Sequence, residues 1–267
     1  MQNKIGTLWL IGAGNMGGAL LSRWAGSGVA DRIVVIDPGA PDVPDGVALV
    51  ADFAAVGDAV PDLVVLAVKP HLAGDALAEL PEAVRGAAAL VSVLAGTTIS
   101  SLSERVPGMT VIRAMPNTPV AVGKGATGLF GSNLEAELRS RLEALFAPTG
   151  VVVWLEEEAQ FDALTALSGS GPAYVFRMTE ALAAAGEAAG LPEDLARTLA
   201  EATVSGAGAL MESDERSAAD LRRAVTSPNG TTQAGLEALD EDPGLPALVR
   251  NAVRAAAARS RELASET

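Results

Sequence analysis

The stretch Leu8-Trp9-Leu10-Ile11-Gly12-Ala13-Gly14-Asn15-Met16-Gly17-Gly18-Ala19-Leu20 decides the fold of this chain. Its apolar run, 8–11, has the length of a buried strand and leads straight into glycines spaced G-x-G-x-x-G. A helical pattern bearing Ala, Leu and Trp24 then continues to about residue 26. Strand, tight glycine turn and helix, in that order, predict a phosphate-binding unit. Gly12 permits the sharp turn, Gly14 lets backbone approach a pyrophosphate, and Gly17 lets helix and strand pack closely. The free N–H groups at the helix start, with Ala13, Asn15 and Met16 around them, face the phosphates. A second apolar run, Ile33-Val34-Val35-Ile36, ends in Asp37. That acid stands about 20 residues past the last glycine, where a ribose-binding carboxylate belongs. A glycine-rich turn alone can bind nothing. Glycines, both strands, the helix and the acid together read as a dinucleotide site.

Composition bounds the rest. The chain has 267 residues, 49% hydrophobic and 19% charged, enough for two ordinary domains with a sizeable core. Aromatic residues are only 3%, so the core must be built from Ala, Val and Leu. A net charge of −14 argues against nucleic acid or an anionic membrane as partner. It leaves room for an anionic small substrate, which local backbone dipoles can bind. The absence of cysteine excludes disulfides, thiolate catalysis and Cys-ligated metal. The single histidine, His71, cannot supply a His-rich metal centre or a conventional triad, so no metal is expected. Lys4 followed by an apolar run superficially resembles a signal peptide, but glycines break the run. No stretch reaches the ~18 uninterrupted apolar residues of a membrane span. A cytoplasmic protein is the expectation.

The first half alternates strand-like and helix-like segments. Further strands are predicted near 47–50 and at 63–68, 88–93, 110–113 and 151–154, as continuous apolar runs typical of strands buried on both faces. Helices are predicted near 71–79, 98–105 and 133–146. This is a doubly wound α/β pattern. From about residue 156 the strand pattern ceases, and 157–189, 192–212, 217–225, 231–240 and 245–265 read as helices rich in Ala, Leu, Glu and Arg. The predicted organisation is a Rossmann-type domain over 1–157 and an all-α domain over 158–267. The helical part is expected to bury apolar faces against a second copy of itself. The plainer alternative is a self-contained bundle.

Four more segments sit at predicted strand ends or helix starts, which face the crevice of an open α/β sheet. Ala67-Val68-Lys69-Pro70-His71 ends a strand, and Pro70 starts a helix. Its backbone and Lys69 are placed to line a cofactor cleft, although a solvated surface lysine reads the same. Arg113-Ala114-Met115-Pro116-Asn117-Thr118-Pro119 makes a rigid loop. The Asn117 amide there suits a ribose or a nicotinamide, or only a turn. Leu167-Ser168-Gly169-Ser170-Gly171-Pro172-Ala173-Tyr174 should break or kink a helix, either to reach a ligand or for structure alone. Val225-Thr226-Ser227-Pro228-Asn229-Gly230-Thr231-Thr232 gathers hydroxyls and free N–H groups at one helix start, a carboxylate site. N-capping alone needs one such residue, not four within seven.

Taken together, GAGNMGGAL, AVKP, AMPNTP, LSGSGPAY and VTSPNGTTQAGL resemble the pyrroline-5-carboxylate reductase family, in its order and spacing over nearly the whole chain. The resemblance implies a Rossmann domain followed by an all-helical dimerisation domain. It also implies dimers often assembled into rings, including a decamer built as a pentamer of dimers, with the site shared between subunits. The implied reaction is hydride transfer from NADH or NADPH to a cyclic imine bearing a carboxylate. The implied substrate contacts are Ser227, Gly230, Thr231 and Thr232. Thr232 meets the imine nitrogen, and Glu215 orients. Two positions depart from the family. Asn229 stands where glycine is usual, and Asp37 stands where small polar or basic residues accompany NADPH, so Asp37 points to NADH. The competing readings are a reductase of another cyclic imine, a β-hydroxyacid dehydrogenase and a non-catalytic dinucleotide sensor. The dehydrogenase needs a lysine on the long helix after Gly171, where Arg177 is the only base. The sensor would not need the hydroxyl-rich 226–232.

Overall fold

The computed structural model describes residues 4–57, 59–85 and 89–265. Ala88, placed by sequence in a strand, lies outside them, as do residues 1–3 and 266–267 of the two expected domains. Among the described residues, β1 (Ile5–Ile11), β2 (Ala30–Ile36), β3 (Ala48–Val50), β4 (Leu63–Leu66), β5 (Ala89–Ser92), β6 (Thr110–Met115), β7 (Gly125–Phe130) and β8 (Gly150–Trp154) form one sheet. Its order is β3-β2-β1-β4-β5-β6-β7-β8. β1 to β6 are parallel, β7 runs antiparallel to β6, and β8 is parallel to β7.

Alternate side chains of the central strands enter opposite layers. Leu8 and Leu10 pack with Leu20, Leu21 and Trp24 of α1 (Asn15–Ala25). Leu142, Leu145 and Phe146 of a later helix join that layer. Trp9 and Ile11 pack on the other face with Leu77 of α2 (Ala73–Ala78), Val84 of α3 (Glu82–Arg85) and Leu102 of α4 (Ile99–Arg105). The helix carrying Phe146 is α5 (Ala136–Phe146). Trp24 meets the Phe146 ring edge-on at 5.9 Å between centroids, and its Nε1 donates to the Leu145 carbonyl at 2.8 Å. Its large apolar body is buried with its one polar atom satisfied.

The structure departs from the sequence reading in three places. The helix read at 71–79 is a 3₁₀ turn, Pro70–Leu72, followed by the short α2. The helical run read at 157–189 is divided into α6 (Gln160–Leu164), a π-helical turn Thr165–Gly169 and α7 (Gly171–Ala188). The strand β7, Gly-Ala-Thr-Gly-Leu-Phe, carries no apolar run to announce it. Its glycines are there for close crossings. A Cβ on Gly125 would stand 2.3 Å from Val120 Cγ1, and one on Gly128 2.2 Å from Leu164 Cδ2.

The remaining helices are α8 (Glu193–Ser213), α9 (Ala218–Ala224), α10 (Thr231–Asp240) and α11 (Leu245–Ser265). The chain forms two compact units. One runs up to Ser170 and takes in the residues from Ala256 on; the other is Gly171–Ala255. In the second unit, Gly190 (φ +105°) closes α7. Its N–H donates to Glu187 O at 2.9 Å, and Leu191 N–H to Gly186 O at 3.1 Å, the paired bonds of a Schellman ending. α8 then returns along α7, with Gly186 against Ala196. Among the described residues of this unit, only Ala196, Ala200 and Leu221 are buried, whereas Phe176 is 63% and Met211 53% exposed.

Candidate active site

The glycine turn after β1 is built as its residue types require. Gly12 has φ +88°, and a Cβ there would stand 2.8 Å from Val68 Cγ1. A Cβ on Gly17 would stand 2.1 Å from Gly12 O, so α1 lies directly on the turn. At Gly14 a Cβ would meet nothing within 4 Å, leaving open space over the backbone. Gly14 is the N-cap of α1 with no side-chain cap bond, and no acid lies in the first turn. Asn15 begins the helix and is exposed, while Met16 packs partly into the core. Unmasked N–H groups, open space and the positive end of a helix dipole form an anion cradle.

Asp37 is locked onto this turn. Its Oδ2 accepts from Ala13 N at 2.8 Å and its Oδ1 from Gly39 N at 2.8 Å. Each carboxylate oxygen keeps a further acceptor position. On the other side of β1, Ala67 N–H donates to Ile11 O at 2.8 Å, and Ala67 and Val68 wall the glycines. Lys69 is exposed and caps the 3₁₀ turn that Pro70 opens and that contains His71. Thus Gly12, Ala13, Gly14, Gly17, Asp37, Ala67 and Val68 come together at the C-terminal ends of β1, β2 and β4. The strand order reverses between β1 and β4, the switch point at which α/β sheets bind ligands. The residues present fit the diphosphate and ribose of a dinucleotide.

Asn117 follows β6. Its Nδ2 donates to Ser168 O at 3.1 Å and Ser168 Oγ at 3.2 Å, and its Oδ1 accepts from Ala126 N at 2.8 Å. Arg113, only 8% exposed, escaped the sequence reading as a site-forming residue. Its Nη1 pairs with Glu158 Oε1 at 2.8 Å, and its guanidinium lies 4.2 Å over Phe161. The same Glu158 oxygen accepts from Ile99 N at 2.8 Å. An arginine in an apolar strand signals an acid partner, but not which one across 45 residues.

In the second unit, α10 begins at N-cap Gly230, which has no side-chain cap bond. Gly230 N–H donates to Ser227 O at 3.0 Å. A Cβ on Gly230 would meet Ser227 O at 3.1 Å. Asn229 has φ +57°, the left-handed region that asparagine tolerates best among side-chain-bearing residues. Gln233 Oε1 reaches back to accept from Asn229 N at 2.8 Å, one residue before the N-cap, which ties the loop to the first turn of the helix. The Thr226 hydroxyl donates to Arg222 O. Ser227, Thr231 and Thr232 are exposed at the helix start, where the first N–H groups lack intrahelical partners. Glu215 is exposed in the α8–α9 connection between Asp214 and Arg216, which form a two-pronged ion pair at 2.6 and 3.0 Å. Those bonds, with the Arg216 N–H, pull the Asp214 carboxyl down to about 2. Among the described residues no group of three His, Cys, Asp or Glu is arranged to hold a metal.

Comparison with known proteins places these features. The family described as "Pyrroline-5-carboxylate reductase dimerisation" matches residues 158–263, and "NADP oxidoreductase coenzyme F420-dependent" matches residues 7–96. A pyrroline-5-carboxylate reductase of Pseudomonas aeruginosa is 39% identical over 96% of both chains. One of Glycine max is 45% identical over 76% of this chain and 73% of its own. The solved pyrroline-5-carboxylate reductase of Coxiella burnetii superposes with a TM-score of 0.84 at 32% identity, covering 96% of this chain and 97% of that one. The Plasmodium falciparum enzyme, solved with NADP bound, gives 0.80 at 27%, covering 98% and 99%. The chain therefore belongs to the pyrroline-5-carboxylate reductase family.

Proposed function

We propose that this chain reduces the cyclic imine 1-pyrroline-5-carboxylate to L-proline, the last step of proline biosynthesis, and that it draws its hydride from NADH in preference to NADPH. It is an NAD(P)H-dependent oxidoreductase and a homo-oligomer, as its family membership and dimerisation domain indicate. The observation that carries the substrate assignment is the uncapped start of α10, with Ser227, Gly230, Thr231 and Thr232 around free N–H groups. This start suits a carboxylate. The dinucleotide, when bound, supplies the hydride that the imine carbon receives. The chain does the rest. Gly14 and the α1 start take the diphosphate, Ala67, Val68, Lys69 and Pro70 line the cleft, and Asp37 takes the ribose. Thr232 Oγ1 hydrogen-bonds the imine nitrogen, which keeps its proton, and Glu215 orients. The task is orientation and exclusion of water, with little demand for acid strength. Alcohol oxidation is disfavoured, because α7 carries no lysine and Arg177 is its only base. Residues 1–157 serve the dinucleotide and 158–267 serve substrate and dimerisation, as an intertwined homodimer at minimum. We place the reaction in the cytoplasm, the expectation the sequence carries. Among the described residues no helix is long and apolar enough to cross a membrane.

The cofactor preference rests on Asp37. Its carboxylate is held by the glycine turn through Oδ2 and by its own loop, at Gly39 N, through Oδ1, and no Lys or Arg lies between Arg32 and Lys69 to offset it. A ribose 2′-hydroxyl can donate to it. A 2′-phosphate there would meet repulsion on the order of several kcal/mol at an effective dielectric of ~20. The test is dinucleotide oxidation with pyrroline-5-carboxylate beside a hydroxyacid panel. Turnover of the imine alone, with higher kcat/KM for NADH and a shift toward NADPH in Asp37→Ser, is the expected result. A clear wild-type preference for NADPH would detach Asp37 from the ribose, and hydroxyacid turnover would overturn the substrate.

A further inference from the structure

A π-helical turn is rare, and it is held here by a side chain from another element. In Thr165–Gly169 the helix is widened by one residue, and the Ser170 N–H bonds Thr165 O at 2.8 Å, five residues back. Two contacts from the end of β6 fix it. Asn117 donates to both Ser168 O and Ser168 Oγ while accepting from Ala126 N. This arrangement fixes the orientation of its amide, since the reverse would set carbonyl against carbonyl. Met115 Cε lies 3.0 Å from where a Cβ on Gly169 would be, so Gly169 admits the close approach. Both residues sit at the C-terminal edge of the sheet. Asp37 marks the adenosine end over β2. A dinucleotide lying across the crevice therefore carries its reactive end toward β4, β5 and β6, where this turn is anchored.

We infer that Asn117 is a positioning residue. It acts through Ser168 to hold the π-helical turn as the rigid border of the hydride-transfer end of the crevice, and it is not itself a cofactor ligand. The inference rests on the reading of the crevice as a dinucleotide site. It revises the role that sequence gives Asn117, because both ends of the amide are engaged by the protein. Loss of the amide frees the turn without removing any group that binds the dinucleotide.

The variants are Asn117→Ala and the near-isosteric Asn117→Asp. Asp can still accept from Ala126 N but cannot donate to Ser168. The readouts are NADH affinity by fluorescence, amide hydrogen exchange over 165–170 in the free enzyme, and kcat with its primary isotope effect using NADH deuterated at C4. The expected result in both variants is NADH affinity within about two-fold of wild type, faster exchange over 165–170, and a kcat lower by roughly 10- to 100-fold. The isotope effect should be larger, and the imine KM should change less than kcat. Ser168→Ala keeps the carbonyl acceptor and should lose only a few-fold. A ten-fold weaker NADH affinity with unchanged exchange would make Asn117 a cofactor ligand and overturn the inference. Unchanged exchange and kcat would also overturn it. Exchange and NADH binding need no imine, so failure here is distinguishable from a wrong substrate. If Asn117→Ala does not fold, Asn117→Asp and Ser168→Ala decide.

Discussion

Asn229 shows how one residue tests a loop. A glycine, which the family resemblance leads one to expect here, would allow any φ, and the observed +57° is a value asparagine can adopt at small cost. The loop therefore keeps the turn from Ser227 O to Gly230 N that opens α10. Thr232, on the second residue of that helix, has its hydroxyl at the exposed start. Thr232→Ala should lower kcat/KM for the imine by roughly 10- to 100-fold, as for one orienting hydrogen bond of ~1.5–3 kcal/mol, and leave NADH affinity almost unchanged. Wild-type rates in that variant would mean that another group meets the imine nitrogen. At this scale the sequence was most legible where a residue type answers a single geometric demand. Gly12 needs positive φ, Gly14 open space and Gly17 close approach, and each demand is visible in the spacing alone. Asn117 was legible as a rigid loop residue but not as a bracket, because its partners Ser168 and Ala126 are adjacent only after β6, β7 and the π-helical turn assemble.

Elements were readable in proportion to the continuity of their apolar pattern. The central strands, buried on both faces, show as unbroken runs of Val, Leu and Ile. β7 does not, because Gly125 and Gly128 were selected by neighbours crossing within van der Waals distance and erase the pattern. The α8–α9 connection was legible only as a break at Ser213-Asp214, yet it is fixed by paired charges. Arg216 grips Asp214 from two donors, and Ser217 and Arg223 both bond Asp220. The Arg216 side chain, the largest cause, holds the Asp214 carboxyl near 2, below its ordinary 3.8. The Ser217 hydroxyl and then Arg223 lower Asp220. A lowered folded-state pKa gives stability that is present above the unfolded value and lost as pH falls through the folded one. The connection should therefore hold its geometry at pH 4 and loosen only toward pH 2. Carbon-13 titration of Asp214 should show a midpoint near 2, moving up toward 3.8 in Arg216→Ala. A wild-type midpoint near 3.8 would mean that the fork is not formed in solution.

For the whole molecule, the contrast between the two units decides the oligomer. The first unit closes its own core on both faces of the sheet, around residues as large as Trp9, Trp24 and Phe146 at no more than 1% exposure. The second unit cannot do so within one chain. Its helices are built from alanine and glycine where they touch, as at Gly186 and Ala196. Its larger side chains, Phe176, Leu199, Met211 and Leu248 among them, remain exposed. An apolar surface of that extent on a soluble monomer is unusual, and interfaces between like subunits are where such faces are covered. A family dimerisation match over 158–263 names the same stretch. The physical consequence is that folding of the helical unit is coupled to association, so its stability should depend on protein concentration. Light scattering at micromolar concentration should show a species of at least twice the 27.0 kDa chain mass. Thermal unfolding should move to higher temperature as concentration rises. Phe176→Glu, which places a charge on the exposed face of α7, should shift the population toward monomer and lower the midpoint. A wild-type species of one chain mass, with a concentration-independent midpoint and full activity, would show that the helical unit stands alone and that its exposed apolar faces have another purpose.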